Sequence, residues 1–162
     1  MVDSYEKLLQ VGFQPNGALT EQEIENLEAR IQFKMSQDYR QFMLKSNGGS
    51  VPRNVYYWVH ANNLPEEEIE IKAFLGINPE EKVVDLSYWF DAYGYEYEGI
   101  NTAQIALSDP GVIVLGYEND PRDGVYLWDD SLELETSTED NCMYKIADSF
   151  EEFVSKIYVE EI

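Results

Sequence analysis

The chain has 162 residues, of which 32 are Asp or Glu and 11 are Lys or Arg, so its formal net charge is −21. This charge argues against nucleic acid or an anionic membrane as the partner, because both require positive charge on the protein. A basic protein partner is compatible with it, since opposite charges would steer the encounter. Solubility alone also explains an acidic surface, and the composition leaves both interpretations open.

The sequence indicates a protein of the cytoplasm with one domain over residues 1–162. Its single cysteine, Cys142, excludes an internal disulfide framework and fits a reducing compartment. Residues 1–18 lack the basic and apolar regions of a signal peptide. No stretch approaches the roughly 18 consecutive apolar residues of a membrane span. A length of 162 residues suits a single domain with a sizeable core.

The first third of the chain predicts three helices. Residues 1–10 form the first, and residues 20–31 form the second, in which Thr20 and Glu23 fit a capping box ahead of apolar residues at helical spacing. The third begins at Ser36 as an N-cap and carries an acidic residue in its first turn. It ends at residues 47–49, Asn-Gly-Gly, because Asn and Gly adopt the left-handed conformation at low cost.

The rest of the chain predicts short strands and two further helices. β-Branched and aromatic residues, or their alternation with polar ones, indicate strands at 55–59, 69–75, 104–107, 112–117, 124–128 and 143–147. Apolar spacing indicates helices at 83–93 and from Ser149 through Ile157, the latter with a second capping box to Glu152. Helices at both ends of a run of strands predict an α+β fold, a mostly antiparallel sheet flanked by helices.

The segments between these elements leave some alternatives open. We expect a loop at 60–65 and, at 66–68, three glutamates that form either a solvated edge or a helix start. Residues 129–141 are acidic and rich in Ser and Thr, with little periodicity beyond Leu132 and Leu134, which predicts a loop; a short edge strand within it is the alternative.

No motif for a metal, a cofactor or catalysis is recognisable. One histidine, His60, and one cysteine cannot supply a His/Cys zinc site. Residues 119–124 break the calcium-loop pattern, because Pro121 stands where an oxygen ligand is required, and a hairpin turn is favoured instead. With 32 acidic residues, adjacent carboxylates arise by chance, although a hydrolase that uses paired carboxylates is one alternative. We expect no cofactor and no metal.

Four segments in a fixed order carry a resemblance to a known family. They are the third predicted helix with its aromatic D-Y-R-Q-F-M core and N-G-G end, then I-A-L-S-D-P-G at 105–111, G-V-Y-L-W-D at 124–129 and A-D-S-F-E-E-F at 147–153. Together they resemble the SMI1/KNR4 (SUKH) superfamily over residues 19 to about 158. The resemblance implies an α+β domain with a helix-flanked sheet and offers no catalytic motif, so we expect no enzyme. Residues 60–101 match no pattern of the family, and we expect partner choice to be encoded there.

The resemblance implies a protein that binds another protein. Bacterial domains similar to this one act as immunity proteins that bind and block a cognate polymorphic toxin, often a nuclease. Related fungal domains act in signalling linked to cell-wall synthesis. We therefore expect a non-enzymatic immunity protein of the bacterial type that occludes the active site of a basic, nuclease-like toxin; the alternative is a regulatory or scaffold module.

In the immunity hypothesis, surface carboxylates mimic phosphate charges and tyrosine rings supply rigid contact area. Tyrosines that alternate with Glu and Gly at 95–99 have no apolar stripe that would bury them. The residues expected to contact the partner lie there and at the strand ends: Tyr95, Glu96, Tyr97, Glu98, Asp120, Asp123, Asp129 and Asp130.

Overall fold

The computed structural model describes residues 4–61, 64–77, 84–93, 102–116, 123–139 and 142–160. These residues form five helices and nine strands. The helices are α1 (Ser4–Gln10), α2 (Glu21–Ile31), α3 (Gln37–Ser46), α4 (Leu86–Tyr93) and α5 (Phe150–Ser155). The strands are β1 (Gln14–Pro15), β2 (Gly49–Ser50), β3 (Val55–Ala61), β4 (Leu64–Phe74), β5 (Thr102–Asp109), β6 (Val112–Gly116), β7 (Val125–Trp128), β8 (Met143–Ala147) and β9 (Tyr158–Val159).

All pairings between these strands are antiparallel, and together they make one sheet. Its main path runs β1-β2-β4-β5-β6-β7-β8, with β3 paired to β4 and β9 paired to β3. Strand β4 is the central member, because β3 pairs with residues 64–70 and β2 with residues 73–74. Strand β5 pairs with residues 70–74 of β4. The predicted α+β class with a helix-flanked antiparallel sheet is confirmed.

The predicted helix caps are confirmed at one start and only partly at the others. The Thr20 hydroxyl accepts from the Glu23 N–H at 3.1 Å, and the Glu23 carboxylate accepts from the Thr20 N–H at 3.1 Å. Ser36 is the N-cap of α3, but its hydroxyl donates to a nearby carboxylate instead of accepting from the helix. Ser149 accepts from the Glu152 N–H, whereas the Glu152 carboxylate pairs with a lysine one turn later, so the second capping box is half formed.

The end of the chain differs from the prediction. Helix α5 ends at Ser155, and the helix predicted through Ile157 is therefore too long. Residues 158–159 instead form β9, which pairs with the start of β3. A strand of two residues is too short to show an alternating pattern, so only its pairing reveals it.

Strands in the middle of the chain are longer than predicted. Strand β3 runs to Ala61 and β4 begins at Leu64, so most of the loop predicted at 60–65 and the glutamates at 66–68 belong to a strand pair. Backbone hydrogen bonds to β3 outweigh the low strand preference of glutamate. Neither Leu132 nor Leu134 belongs to a strand of the described residues, so an edge strand there does not form.

Helices α3 and α5 pack on one face of the sheet through a cluster of aromatic rings. Phe42 of α3 lies 5.2 Å from Phe74 of β4 and 5.0 Å from Phe150 of α5, measured between ring centroids. Phe13 lies 5.6 Å from Phe42 and adds the segment before β1. All four are buried, and each contributes about 2 to 3 kcal/mol by removing apolar surface from water.

No helix in the described part of the chain is both long enough and apolar enough to cross a membrane.

The Asn-Gly-Gly segment joins the end of α3 to the end of β4. Asn47 has a φ of 55° and exchanges two hydrogen bonds with the backbone of Ile77, at 3.0 and 2.6 Å. Gly48 has a φ of 68°, and a Cβ placed on it would lie 2.3 Å from the Leu75 carbonyl oxygen and 2.6 Å from that of Phe74. The backbones of α3 and β4 therefore approach to a distance that only glycine permits.

We expect Gly48→Ala to destabilise the protein by about 3 kcal/mol, because it combines left-handed strain with a collision against fixed backbone oxygens. Gly17→Ala is the matched control, since Gly17 also has a positive φ, 140°, but no atom lies within 4 Å of a Cβ placed on it. Urea unfolding followed by circular dichroism measures both. Equal losses for the two variants would show that the close approach at Gly48 is unimportant.

Candidate functional site

A cleft of about 510 Å³ opens where the starts of two helices meet the ends of two strands. The start of α3 and the entry to α5 form one side, and the end of β6 and the beginning of β7 form the other. Four of its lining residues are acidic, so we call it the acidic cleft. Its described lining residues are Ser36, Gln37, Asp38, Gln41, Leu115, Gly116, Asp123, Gly124, Asp148, Ser149, Phe150 and Glu151.

Asp38 fixes the two helix starts relative to one another. One carboxylate oxygen accepts from the Ser36 hydroxyl at 2.6 Å and from the Tyr39 N–H at 2.8 Å. The other accepts from the N–H of Glu151, in the first turn of α5, at 2.9 Å. Hydrogen bonds to a carboxylate at helix starts are strong, because the exposed N–H groups there favour negative charge. This side of the cleft is therefore held in a defined geometry.

The other acidic residues of the cleft are accessible and only loosely paired. Lys145 of β8 lies 3.7 Å from an Asp123 oxygen and 3.4 Å from an Asp148 oxygen. Partial burial alone would lower the pKa of Lys145, but its hydrogen bond and charge interaction with Asp148, together with the charge of Asp123, raise that pKa above its usual value. Exposed ion pairs of this kind contribute less than about 1 kcal/mol. A basic group from another protein can therefore replace Lys145 at little cost.

Gly124 brings Asp123 to the edge of the cleft. Its φ is 99°, and a Cβ on it would lie 2.7 Å from the Ala147 carbonyl oxygen. Its own carbonyl accepts from the Gly116 N–H at 2.8 Å. The start of strand β7 is therefore packed closely between β6 and β8. Asp123, which precedes Gly124, shares Lys145 as an ion-pair partner with Asp148.

Seven of the eight predicted contact residues fall into three groups. Asp123 lines the acidic cleft. Asp130 is exposed and is not among the described lining residues. The remaining predicted surface residues, Tyr95, Glu96, Tyr97, Glu98 and Asp120, lie outside the described residues, and their role stays a prediction.

The prediction that Asp129 belongs to an exposed contact surface is wrong. Its side chain is fully buried, and its two carboxylate oxygens accept from the N–H groups of Glu133 and Leu134 at 3.0 and 2.8 Å. The carboxylate thus satisfies two backbone donors of the loop that follows β7. Sequence alone does not distinguish Asp129 from the adjacent Asp130. Only the course of the loop that follows decides which of the two side chains is buried.

Sequence reasoning missed Asp148 and Glu151 as surface candidates, although the A-D-S-F-E-E-F segment places both at the start of a helix. The acidic cleft suits charge pairing with Arg or Lys side chains. Its described lining residues include no histidine and no cysteine. Within the described ranges, no group of three or more His, Cys, Asp or Glu side chains is arranged to hold a metal ion.

Comparison with known protein families gives one match. A family model described as the SMI1/KNR4 family (SUKH-1) matches residues 18–156, a range that includes the acidic cleft and the loop closed by Asp129. No curated protein matches the chain.

We expect Asp129→Ala to lower the free energy of unfolding by about 2 to 3 kcal/mol, because it leaves two loop N–H groups without their acceptor. Glu135→Ala is the control in the same loop, and as an exposed position it should change stability by less than about 0.5 kcal/mol. Chemical denaturation at neutral pH compares the two. Similar effects would contradict the structural role of Asp129.

Proposed function

Because the chain belongs to the SMI1/KNR4 (SUKH-1) family, whose domains are generally protein-interaction modules, we propose that it is an immunity protein that binds and neutralises a basic, nuclease-like toxin domain. The observation that carries this proposal is the acidic cleft, which is lined by three accessible acidic residues, Asp123, Asp148 and Glu151, besides Asp38, on a protein of net charge −21.

Neutralisation would work by occlusion. A nuclease binds its substrate through Arg and Lys side chains that contact phosphates. Carboxylates of the acidic cleft offer those side chains charge-assisted hydrogen bonds in place of the phosphate oxygens. Asp123, Asp148 and Glu151 are the contacts we assign to the cleft, and Asp130 with the predicted segment at 95–98 and Asp120 would extend the contact surface.

The distribution of charge also favours fast capture. A strongly negative protein attracts a basic partner over a distance set by the ionic strength, roughly 8 Å at physiological salt. Association is then faster than for a neutral pair, and it slows as salt is added. Capture would take place in the cytoplasm, the compartment expected from the sequence.

Co-expression tests the function directly. The toxin domain encoded by the neighbouring gene is expressed in a sensitive host with and without this protein, and the two are then purified through a tag on one of them. We expect the host to survive and the pair to co-purify. If a folded protein gives neither rescue nor complex with an active toxin, the immunity proposal fails for that toxin and the regulatory scaffold becomes the better explanation.

Charge reversal tests the assigned surface. We expect the triple variant Asp123→Lys, Asp148→Lys and Glu151→Lys to weaken toxin affinity by about a hundredfold or more, because it replaces attraction by repulsion at the contact. The control triple Glu133→Lys, Glu135→Lys and Glu139→Lys changes the net charge equally at exposed positions outside the described lining of the cleft.

Surface plasmon resonance separates the two effects. The control should mainly slow association, since it alters only the long-range field, whereas the cleft variant should also speed dissociation. Equal kinetics for the two triples would exclude the acidic cleft as the contact.

A further inference from the structure

A second surface, on the face of the sheet opposite α3 and α5, combines aromatic rings with carboxylates. Tyr158 of β9, Tyr56 of β3, Glu70 of β4 and Asp109 of β5 are successive cross-strand partners, so they form one row across four strands. Trp58 and Glu68 are partners in the next row. We call these six residues the outer patch: Tyr56, Trp58, Glu68, Glu70, Asp109 and Tyr158.

Alternation along β3 directs these aromatic side chains outward. Val55, Tyr57 and Val59 are buried, whereas Tyr56 is half-buried and Trp58 is 39% exposed. Side chains of a strand point to opposite faces in turn, so the three buried residues face the helices and the other two face away. Trp58 therefore exposes apolar surface to water beside Tyr56. Trp and Tyr are enriched among the residues that contribute most of the binding energy in protein interfaces.

Neighbouring contacts hold the outer patch in place. The Tyr56 and Tyr158 rings lie 6.1 Å apart, and the Tyr158 hydroxyl donates to the Glu68 carboxylate. Glu70 accepts from the Asn54 N–H at 3.1 Å and pairs with Lys72 at 2.6 Å. Side chains that are already ordered lose less conformational entropy when a partner binds.

The outer patch also carries negative potential. Partial burial and the nearby charges of Glu70, Glu160 and Glu68 raise the pKa of Tyr56. Burial and the hydrogen bond to Glu68 likewise raise the pKa of Tyr158.

Near the outer patch, the positive charge is smaller than the negative charge. The hydrogen bonds from Lys72 and from the Asn54 N–H, with the charges of Lys72 and Arg53, lower the pKa of Glu70. Glu70 therefore stays ionised at neutral pH. Among the described residues, Glu70, Glu68, Asp109 and Glu160 thus place four carboxylates near these two cations.

We propose that the outer patch docks a cationic segment of a protein partner, with an arginine side chain stacked on Trp58 and its guanidinium paired with Glu68. Trp is the aromatic ring that binds cations best, and a planar guanidinium can stack on it while donating hydrogen bonds to a carboxylate. The net charge of −21 opposes docking of a second copy of this chain. The inference rests on the proposed function in one respect, that the partner is a basic protein.

A deca-arginine peptide tests the docking chemistry without the toxin. It is titrated into the ¹⁵N-labelled protein, and the indole N–H signals of Trp58, Trp89 and Trp128 are followed by NMR. We expect the Trp58 indole to show the largest saturable shift and the buried Trp128 indole to stay in place. A deca-lysine peptide should bind more weakly at the same site, because an ammonium group cannot stack.

Two variants separate docking from general attraction. Trp58→Thr places a β-branched residue, which favours strands, in β3 and should raise the dissociation constant for deca-arginine by about tenfold, as expected for loss of a cation–π contact. Tyr88→Ala removes another exposed aromatic side chain, which is 44% exposed on α4. It should change the dissociation constant for deca-arginine by no more than about twofold.

The proposal is overturned if deca-arginine shifts signals around the acidic cleft and leaves the Trp58 indole unchanged. It is also overturned if the Trp58 signal moves with protein concentration alone, because the surface would then bind a second copy. The wild-type titration decides between these outcomes even if Trp58→Thr fails to fold.

Toxin neutralisation by the same variants separates this inference from the proposed function. If the wild-type protein neutralises the toxin and Trp58→Thr does so equally well, the outer patch is not the docking surface and the proposed function stands. If the wild-type protein neutralises nothing while deca-arginine still docks at Trp58, the proposed function fails and the patch stands.

Discussion

The mutual packing of Phe42, Phe74 and Phe150 is the contact on which the rest of the structure depends. It places α3 and α5 side by side on β4, with ring centroids 5.2 and 5.0 Å from Phe42. The starts of the two helices are then close enough for one carboxylate, that of Asp38, to bond to both. The position of the two helix starts that border the acidic cleft thus follows from how the aromatic core packs the helices.

Acidic residues in this protein serve two physically different purposes. Asp129 and Asp38 accept hydrogen bonds from backbone N–H groups, and Glu28 both accepts from the Met35 N–H and pairs with Arg40 at 2.7 Å. Such carboxylates stabilise the fold and are not free to bind a partner. Other acidic residues, among them Asp148 and Glu151, are accessible and give the surface its negative electrostatic potential. Net charge alone therefore overstates how many carboxylates are available for binding.

The long central strand β4 explains why the protein offers two separate surfaces. Its first part carries β3, and through β3 also β9, which together present aromatic rings on the outer face. Its last part, through Phe74, anchors the helices that border the acidic cleft. One strand thus supports an aromatic surface on one side of the sheet and the helix-bordered cleft on the other, and both suit a basic protein partner of an SMI1/KNR4 family member.

Local chemistry in the sequence determined the starts of α2, α3 and α5, most strands and the α+β class, because caps, turns and apolar periodicity act over a few residues. The helix predicted from residue 83 begins only at Leu86. Tertiary structure alone decided β9, the extension of β3 and β4 through Glu66 to Glu68, and the inward turn of Asp129. Each of these depends on pairing between distant segments. The same holds for the two surfaces. The sequence showed that acidic and aromatic residues are abundant, but only the register of β3, β4 and β9 brings Tyr56, Trp58 and Glu68 together. Residues far apart in the chain become neighbours only when strands pair.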